Sequence, residues 1–347
     1  MCFLLGATGS GVTSTGEALI GGVSDDPYLF RTFVRVVQMP KNTKCFAHLG
    51  TELRYVDGGE KPPPFDVEVG QPSRGVNAAG LSFTCALVMD VPQSAPSTVS
   101  FAELSHRMMN KCSVVKEAIH LFQAAGAISP AFSVLLADAS GDLAHVEVGS
   151  YGCFVLQRYS RKEPGIVIAV NCYQCPNLIP YNQPEAQLME ERNNNGVRLS
   201  RGWELAKRHR GNIDVDVIRM ILSDHQNRSL DCGNNSLIKW WGYSICNHGT
   251  NKAEYNETEP SWGTVSAEIM QPSHCALYYC YGWPCGEQPA FKDQVYQNGS
   301  WGCFLPFTVT PKMLISEKQA VIECTTIDGI ITNAGKVFKL ALKGEAY

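Results

Sequence analysis

The chain has 347 residues, enough for one large domain or two of ordinary size, and its 44% hydrophobic and 18% charged residues are typical of globular proteins. Its formal net charge of -4 gives no sign of the basic surface that holds a phosphate backbone, so we expect no nucleic-acid partner. No apolar run approaches the roughly 20 residues of a membrane span, and no positive stretch of a secretion signal precedes the first apolar run. We therefore expect a cytoplasmic protein with no membrane partner.

The first predicted strand begins at Cys2 and leads through the glycine-rich residues 6–11 into a second strand, residues 17–22. The glycines have a spacing similar to that of a phosphate loop. A phosphate loop also needs a long helix after its glycines, and the next apolar run comes too soon for one. We therefore expect a hairpin here and no nucleotide site.

Cys2 has two interpretations. It is either an ordinary small apolar residue at the start of a buried strand or, once Met1 is removed, a nucleophile that carries its own base. Free α-amino groups and thiols titrate at about 7.7–8.0 and about 8.5, so proton transfer between the two groups of one residue is nearly balanced. The later segments of the sequence favour the second interpretation.

Two aspartates, Asp25 and Asp26, follow the second strand in a predicted turn that Pro27 closes. A β-branched strand is predicted after them at residues 32–37. On local sequence the two aspartates are either turn residues or carboxylates presented close to Cys2, and both interpretations remain open.

The rest of the chain alternates between strand-like and helix-like patterns without an internal repeat or a low-complexity linker. The elements predicted from residue 75 onward are a turn and a long apolar strand at 75–88, a helix at 101–125, a hairpin at 131–148, a strand at 166–170, helices at 185–209 and 215–223, strands at 264–270 and 276–280, and a helical tail at 320–341. The order of strands, helices and strands favours one layered domain over residues 1–347.

The 14 cysteines are scattered along the chain, a distribution that favours reduced thiols over a disulfide framework. The spacing Cys172-x-x-Cys175 is ambiguous between a metal site, a redox motif and coincidence. A structural zinc ion needs a second pair of ligands at matched spacing, and Cys275, Cys280 and Cys285 do not provide one. We therefore expect no metal and no cofactor.

Several segments, taken together and in order, resemble the N-terminal nucleophile (Ntn) hydrolases of the choloylglycine hydrolase and acyl-CoA:6-aminopenicillanate (isopenicillin N) acyltransferase type. These are linear amide C–N hydrolases with a cysteine nucleophile, similar to peptidases of the C45 type. The matching segments are Met1-Cys2, Asp25 after the glycine-ended strand, Gly75-Val76-Asn77-x-x-Gly80-Leu81, Asp138-x-x-Gly141 with Glu147, Asn171 at a strand end, Ile245-Cys246-Asn247-His248, Thr264 and Gly282-Trp283-Pro284-Cys285. The last three resemble the acyltransferase branch more than the bile-salt branch.

The sequence departs from this pattern at one position. The bile-salt and penicillin V enzymes place an arginine three residues before the aspartate, where this chain has Gly22. Arg31 or Arg35 could supply a guanidinium group from nearby. Maturation is expected to consist of the loss of Met1.

The resemblance implies an α+β fold, a four-layer αββα sandwich of two antiparallel sheets between helix layers. It implies that the Cys2 sulfur attacks the carbonyl carbon of a linear amide or thioester, that the Cys2 amine carries the proton, and that water or an amine acceptor cleaves the acyl-enzyme. The residues assigned to the site are Cys2, Asp25 and Asn171 as catalytic residues, with Leu87, Asn77, Asp26, Arg31 and His248 as oxyanion or pocket residues.

Within that assignment, Asn171 Nδ2 and a backbone N–H near Leu87 are the expected oxyanion donors, and Asp25 holds the Cys2 ammonium or thiol, with Asp26 as the alternative if the register differs by one. His248 is either a pocket residue or a structural histidine. The expected partner is a small acyl amide substrate, and a homo-oligomer is expected. Two alternatives remain: a cysteine dipeptidase of the related C69 type, and a non-enzymatic redox or metal-binding protein that uses Cys172 and Cys175.

Overall fold

The computed structural model describes residues 2–27, 30–37, 46, 48–55, 74–91, 98–183, 194–225, 244–248, 262–287, 302–309, 319–322, 326–327 and 330–331. The α-helices among them are α1 (Phe101–Lys111), α2 (Val115–Ala125), α3 (Asn194–Arg208) and α4 (Val215–Leu222). The strands are β1 (Cys2–Thr8), β2 (Leu19–Pro27), β3 (Phe30–Val37), β4 (His48–Tyr55), β5 (Arg74–Asn77), β6 (Ser82–Leu87), β7 (Val99–Ser100), β8 (Ile128–Ser129), β9 (Phe132–Ala137), β10 (Leu143–Gly149), β11 (Gly152–Tyr159), β12 (Gly165–Val170), β13 (Trp262–Gln271), β14 (Ala276–Tyr281), β15 (Leu305–Thr308), β16 (Gln319–Ile322), β17 (Thr326–Ile327) and β18 (Ile330–Ile331).

Two large sheets form the centre of the protein. The six-stranded sheet has the order β12-β1-β2-β13-β14-β15, and the eight-stranded sheet has the order β11-β10-β9-β6-β5-β4-β3-β16. The ladders within both sheets are antiparallel. The small pair β7–β8 is parallel and lies outside them.

Three buried apolar clusters show how the layers stack. One lies between the sheets and includes Leu4, Val76, Leu135 and Leu277. A second joins the six-stranded sheet to α3 and α4, and a third joins the eight-stranded sheet to α1 and α2. The order is therefore helices, sheet, sheet, helices, and the predicted four-layer α+β sandwich is confirmed. No helix in the described ranges combines the length and apolar character needed to cross a bilayer.

Strand β1 lies between β12 and β2 and is buried on both faces, which explains its largely apolar sequence. Successive side chains alternate between the faces of a strand, so Phe3 points toward the helices and Leu4 toward the other sheet. Helix α3 approaches β1 so closely at Gly202 that a Cβ atom on this residue would lie only 2.4 Å from the Phe3 ring. This contact brings the polar start of α3 to the beginning of β1.

The helix predicted at 101–125 is two helices, because polar side chains take over the backbone hydrogen bonds at the break. Asn77 Nδ2 donates to the carbonyl oxygens of Met109 and Cys112, at 2.9 and 2.8 Å. The Asp138 carboxylate accepts a 2.9 Å hydrogen bond from the Val115 N–H. Side chains distant in sequence thus end α1 and begin α2.

Two other predictions were wrong at the level of local structure. The turn expected at Asp25 and Asp26 is a continuation of β2, because β13 pairs with both residues. The tail expected to be helical contains strand β16, which pairs with β3, together with β17 and β18. In both places pairing with a distant strand overrides local propensity. The part of the predicted helix at residues 185–193 lies outside the described residues.

Candidate active site

Cys2 begins β1 and is half-buried at the end of the six-stranded sheet. Cys2 pairs with Ser24 of the neighbouring strand β2, and the Cys2 side chain packs against the apolar cluster between the sheets. The Cys2 backbone nitrogen donates a hydrogen bond to Asn171 Oδ1. The first residue of β1 is thus joined to the residue that follows β12, its other neighbour in the sheet.

Asn171 is buried, with 3% of its surface exposed, and its amide contacts three parts of the chain. Oδ1 accepts from the Cys2 nitrogen and from Arg198 Nη2, the latter at 3.3 Å. Nδ2 donates to the carbonyl oxygen of Leu87 at 2.7 Å. Two donors on one side and a carbonyl on the other fix the orientation of the amide. Because an amide NH₂ carries two hydrogens, Nδ2 retains a second N–H after its bond to Leu87.

Asp25 lies in β2 with 2% of its surface exposed. Its Oδ2 accepts a hydrogen bond from Arg198 Nη1 at 3.1 Å, and its Oδ1 accepts one from Thr264 Oγ1 at 2.7 Å. Burial raises the pKa of the Asp25 carboxyl group, and the positive charges of the chain's amino terminus and Arg198 offset only part of this effect. The β13 ladder shifts register between Thr264 and Ser266, next to this contact.

Asp26 lies one residue further along β2 and is half-buried. Consecutive strand residues point to opposite faces, so Asp26 is directed to the space between the sheets, whereas Asp25 faces α3. Burial raises the pKa of Asp26 to about 6, with the negative charge of Asp25 acting in the same direction.

Arg198 connects the predicted residues and was missed by the sequence analysis. It lies fully buried in α3 and donates to Asp25, Asn171 and Asn195, at 3.1, 3.3 and 3.3 Å. In the sequence it is one of several arginines in a polar helical segment. No spacing marks it, because the predicted site residues that it contacts, Asp25 and Asn171, lie 173 and 27 residues away in the chain.

A second buried arginine, Arg74, lies between the two sheets. Its Nη1 is 2.5 Å from Glu268 Oε2, and its Nη2 donates to the carbonyl oxygens of Val23 and Cys85 at 3.0 and 3.2 Å. Burial alone would lower the pKa of Arg74, but the groups around it, the Glu268 carboxylate first and then Cys2 and Cys85, outweigh burial and raise it. The guanidinium group therefore lies within electrostatic range of Cys2.

The position of Arg74 bears on the departure at Gly22. Gly22 lies opposite Glu268 across β2 and β13, and a Cβ atom on it would come within 2.8 Å of the Phe3 carbonyl oxygen. A side chain at position 22 therefore does not fit, and Arg74 supplies a guanidinium group on that side of the sheet. The side chains of Arg31 and Arg35 lie outside the described part of the structure.

Asn77 serves the fold through all of its polar groups. Its Nδ2 donates to the two carbonyl oxygens at the end of α1, as described above. Its Oδ1 accepts hydrogen bonds from the N–H groups of Ala79 and Leu81 at 3.1 and 2.9 Å. These bonds hold the turn between β5 and β6 against α1. The four contacts account for its full burial.

Cys172 and Cys175 are buried free thiols in two different apolar clusters: Cys172 packs between the six-stranded sheet and helices α3 and α4, and Cys175 packs with Tyr173. The Glu147 carboxylate accepts hydrogen bonds from the N–H groups of Gln174 and Cys175, at 2.6 and 3.0 Å. Burial raises the pKa of the Cys172 thiol and raises that of Glu147 to about 7. The motif is thus part of a buried turn that a carboxylate holds.

His248 lies in a separate polar cluster with Cys285, whose Sγ is 3.2 Å from His248 Nε2. Its ring stacks on Trp283, with centroids 3.9 Å apart. Hydrogen bonds from Cys246 and then His248 lower the pKa of the Cys285 thiol. The cluster is linked to the Cys2 site through Asn247, whose N–H donates to Thr264 Oγ1 at 2.9 Å.

Comparisons with known proteins identify the fold. The chain is similar to a mutant conjugated bile acid hydrolase from Clostridium perfringens, with 13% sequence identity, a TM-score of 0.58, and coverage of 94% of this chain and 99% of that one. A second variant of that enzyme gives 11% identity, a TM-score of 0.55 and the same coverage. The penicillin V acylase of Agrobacterium tumefaciens gives 14% identity, a TM-score of 0.50, and coverage of 92% of this chain and 90% of that one. No protein-family model and no curated protein matches the sequence.

Proposed function

We propose that this protein is an Ntn amidohydrolase that cleaves a linear amide C–N bond through an acyl-enzyme on Cys2. The observation that carries the proposal is the hydrogen bond between the Cys2 nitrogen and the Asn171 amide, at the start of an interior strand. A nucleophile whose own amine is the base needs that amine to be held in place. The fold, shared with proteins named as a hydrolase and an acylase, supports the same reaction class.

In the proposed reaction, loss of Met1 makes the Cys2 nitrogen a free amine. The Cys2 sulfur attacks the amide carbonyl carbon, an S–C bond forms, and the thiol proton passes to the Cys2 amine. The C–N bond then breaks, and the amine delivers the proton to the leaving nitrogen. Water next attacks the thioester, the C–S bond breaks, and a carboxylic acid and the free thiol are released.

The negative charge on the tetrahedral intermediate needs hydrogen-bond donors that are already in place. The second N–H of Asn171 Nδ2 is the first proposed donor. The backbone N–H of Leu87 is the second. In an extended strand the N–H and C=O of one residue point to the same side, and the Leu87 carbonyl faces Asn171.

Three charged residues support these groups in the proposal. Arg198 is a positioning residue, since it holds both Asp25 and the Asn171 oxygen that bonds to the Cys2 nitrogen. Asp25 stabilises the positive charge on the Cys2 amine during proton transfer. Arg74 places a positive charge within electrostatic range of the Cys2 sulfur, the attacking atom.

Intact mass spectrometry tests the proposal directly. We expect the purified chain to lack Met1 and to gain a single acyl group from an activated N-acyl substrate, and Cys2→Ala to gain none. Cys303→Ser, which removes an exposed thiol, is the matched control and should still be acylated. A retained Met1 in active enzyme, or acylation of Cys2→Ala, would contradict the mechanism.

Product analysis separates the related activities. Hydrolysis gives the free acid, whereas an added amine acceptor would divert the acyl group if the enzyme is an acyltransferase. Turnover of dipeptides with free amino termini, without turnover of N-acyl amides, would replace the proposal with the cysteine dipeptidase alternative.

Three broader sequence predictions belong to the same proposal: a single domain over residues 1–347, a cytoplasmic location and a homo-oligomer. Light scattering on the purified protein measures the last of these, and a monomeric mass would contradict it.

A further inference from the structure

Four potential metal ligands come together beside the candidate active site. They are His225, Cys246, His248 and Cys285, called here the His₂Cys₂ cluster, and one ligand atom from each lies within 4.8 Å of the others. His225 follows α4, Cys246 and His248 lie in the segment 244–248, and Cys285 lies in the turn after β14. Their wide separation in sequence explains why cysteine spacing did not predict this cluster.

The distances fit a tetrahedral zinc ion. Zn–S bonds of about 2.3 Å and Zn–N bonds of about 2.0–2.1 Å place neighbouring ligand atoms about 3.3–3.8 Å apart. His248 Nε2 and Cys285 Sγ are 3.2 Å apart, and the whole set lies within 4.8 Å. Only small movements of the four side chains are therefore needed for them to coordinate a zinc ion.

The orientation of the histidines is a second, independent observation. Glu287 lies outside the cluster, 3.6 Å from His225 Nε2 and 3.6 Å from His248 Nδ1. Its position leaves His225 Nδ1 and His248 Nε2 for the centre. His225 Nδ1 is buried and has no hydrogen-bond partner among the described residues. Metal-binding histidines typically turn their outer nitrogen to a carboxylate in this way.

We infer that the His₂Cys₂ cluster binds one Zn²⁺ in a closed structural site. Two thiolates and two imidazoles are a ligand set that selects zinc among the common divalent ions. Because all four ligands come from the protein, no position remains for water or substrate, and the site takes no part in the proposed reaction. The inference is therefore independent of the chemistry assigned to Cys2.

The ion would hold the segment 244–248 in place, and this segment supports Asp25 through Thr264. Between the two ligands Cys246 and His248, the Asn247 N–H donates to Thr264 Oγ1, and the Thr264 N–H donates to the Asn247 carbonyl oxygen at 2.8 Å. Thr264 in turn donates to Asp25. A zinc ion would join this segment to the end of α4 and to the turn after β14.

Metal analysis of the full chain, purified from zinc-supplemented cells and dialysed against metal-free buffer, tests the inference. We expect about one zinc per chain, as structural sites retain their ion. Replacement with Co²⁺ should give the absorption bands of tetrahedral cobalt and a sulfur-to-cobalt charge-transfer band. Both readouts are independent of activity.

Variants assign the ligands. Cys285→Ser and His225→Ala should each lose bound metal and the cobalt spectrum, and Glu287→Gln should weaken metal affinity by about 10- to 100-fold. Cys303→Ser and His274→Ala are the matched controls, because both residues are exposed and outside the cluster. The His225 side chain is 34% exposed, so its removal should be tolerated by the fold. His225→Ala therefore still tests the ligand set if Cys285→Ser does not fold.

Two outcomes would overturn the inference. One is a folded wild-type chain that contains no stoichiometric metal and gives no tetrahedral cobalt spectrum. The other is a disulfide between Cys246 and Cys285, detected by intact mass and peptide mapping in protein purified from a reducing cytoplasm.

Discussion

At the scale of single residues, Asn171 connects Cys2, the proposed nucleophile, to its surroundings. Its oxygen accepts from Cys2 and Arg198, and its nitrogen donates to Leu87. The acceptor side holds the Cys2 nitrogen, and the donor side is the one proposed to stabilise the oxyanion. The two sides can be separated by substitution, because an aspartate keeps the acceptor and lacks the N–H donors.

We expect Asn171→Ala and Asn171→Asp each to lower kcat on an N-acyl amide by about 10²–10³, the usual cost of one oxyanion donor. Steady-state kinetics and urea unfolding measure activity and stability side by side. Asn212→Ala, at an exposed asparagine, is the control and should behave as wild type. A wild-type kcat in a folded Asn171→Asp variant would show that the donor has no catalytic role.

Glu147 provides a pH-dependent contribution to stability. Burial raises its pKa from 4.5 to about 7 in the folded protein. The folded state then holds a proton that the unfolded state has released, so the free energy of unfolding falls as pH rises between these values. The contribution of Glu147 to the free energy of unfolding is fully present below pH 4.5 and is lost by about pH 7. Its magnitude is up to about 3 kcal/mol.

We expect Glu147→Gln to flatten the dependence of unfolding free energy on pH between about 4.5 and about 7. Urea unfolding at several pH values measures the slope. Glu163→Gln, which removes an exposed carboxylate, should leave the slope unchanged. A Glu147→Gln slope equal to that of the wild type would mean that Glu147 is ionised across this range.

At the scale of elements, Asn77 decides where helix α1 ends. Its side chain bonds two carbonyl oxygens of that region and two N–H groups of the β5–β6 turn. From the sequence, Asn77 is expected to be an oxyanion or pocket residue, whereas these contacts give it a structural function. The two roles predict different consequences of substitution.

Asn77→Ala should lower the free energy of unfolding by about 2–4 kcal/mol, because it leaves several buried backbone groups without partners. The kcat and KM of the remaining folded enzyme should stay at wild-type values. Asn212→Ala again serves as the exposed control. A large fall in kcat/KM at unchanged stability would restore the pocket role.

Elements whose signal is local were predictable from the sequence. Strands β1 and β12 are short apolar runs beside glycines or polar residues, and the turn after Asp138 is closed by hydrogen bonds from the N–H groups of Ser140 and Asp142 to the Asp138 carboxylate. Elements whose signal lies elsewhere were not predictable. Strand β2 continues through Asp25 because β13 pairs with it, and β16 forms because β3 does.

The same distinction applies to the candidate site. Cys2, Asp25 and Asn171 were predicted as site residues from a family resemblance carried by several segments in order, and the structure brings Asp25 and Asn171 onto one arginine. Arg198 and Arg74 lie outside those segments. Each acts through partners that are distant in sequence, so only the packing of α3 on β1, or of one sheet on the other, identifies them.

At the scale of the whole molecule, the contact of Arg74 with Glu268 joins the two sheets. Arg74 belongs to the eight-stranded sheet and Glu268 to the six-stranded sheet, and their side chains are 2% and 0% exposed. Burying two charges costs desolvation energy that their attraction only partly repays, so such a pair is weak grounds for stability. Its position near Cys2 offers a different reason for its presence.

The two reasons are separable with a pair of variants. Arg74→Met alone leaves the Glu268 carboxylate buried without its partner and should lower the free energy of unfolding by about 3–5 kcal/mol. Arg74→Met combined with Glu268→Leu should recover most of that loss, since apolar residues of similar volume often replace a buried ion pair without cost. If the charge of the guanidinium group promotes the reaction of the Cys2 sulfur, the stable double variant should still alkylate Cys2 more slowly than the wild type. The rate of Cys2 alkylation by iodoacetamide and urea unfolding measure the two effects. The corresponding replacement of Arg201 and Asp224, a less buried pair that joins α3 to the residues after α4, is the control and should leave alkylation unchanged. Wild-type alkylation in the double variant would show that Arg74 serves only to join the sheets, and a double variant as unstable as the single one would show that the ion pair itself holds them together.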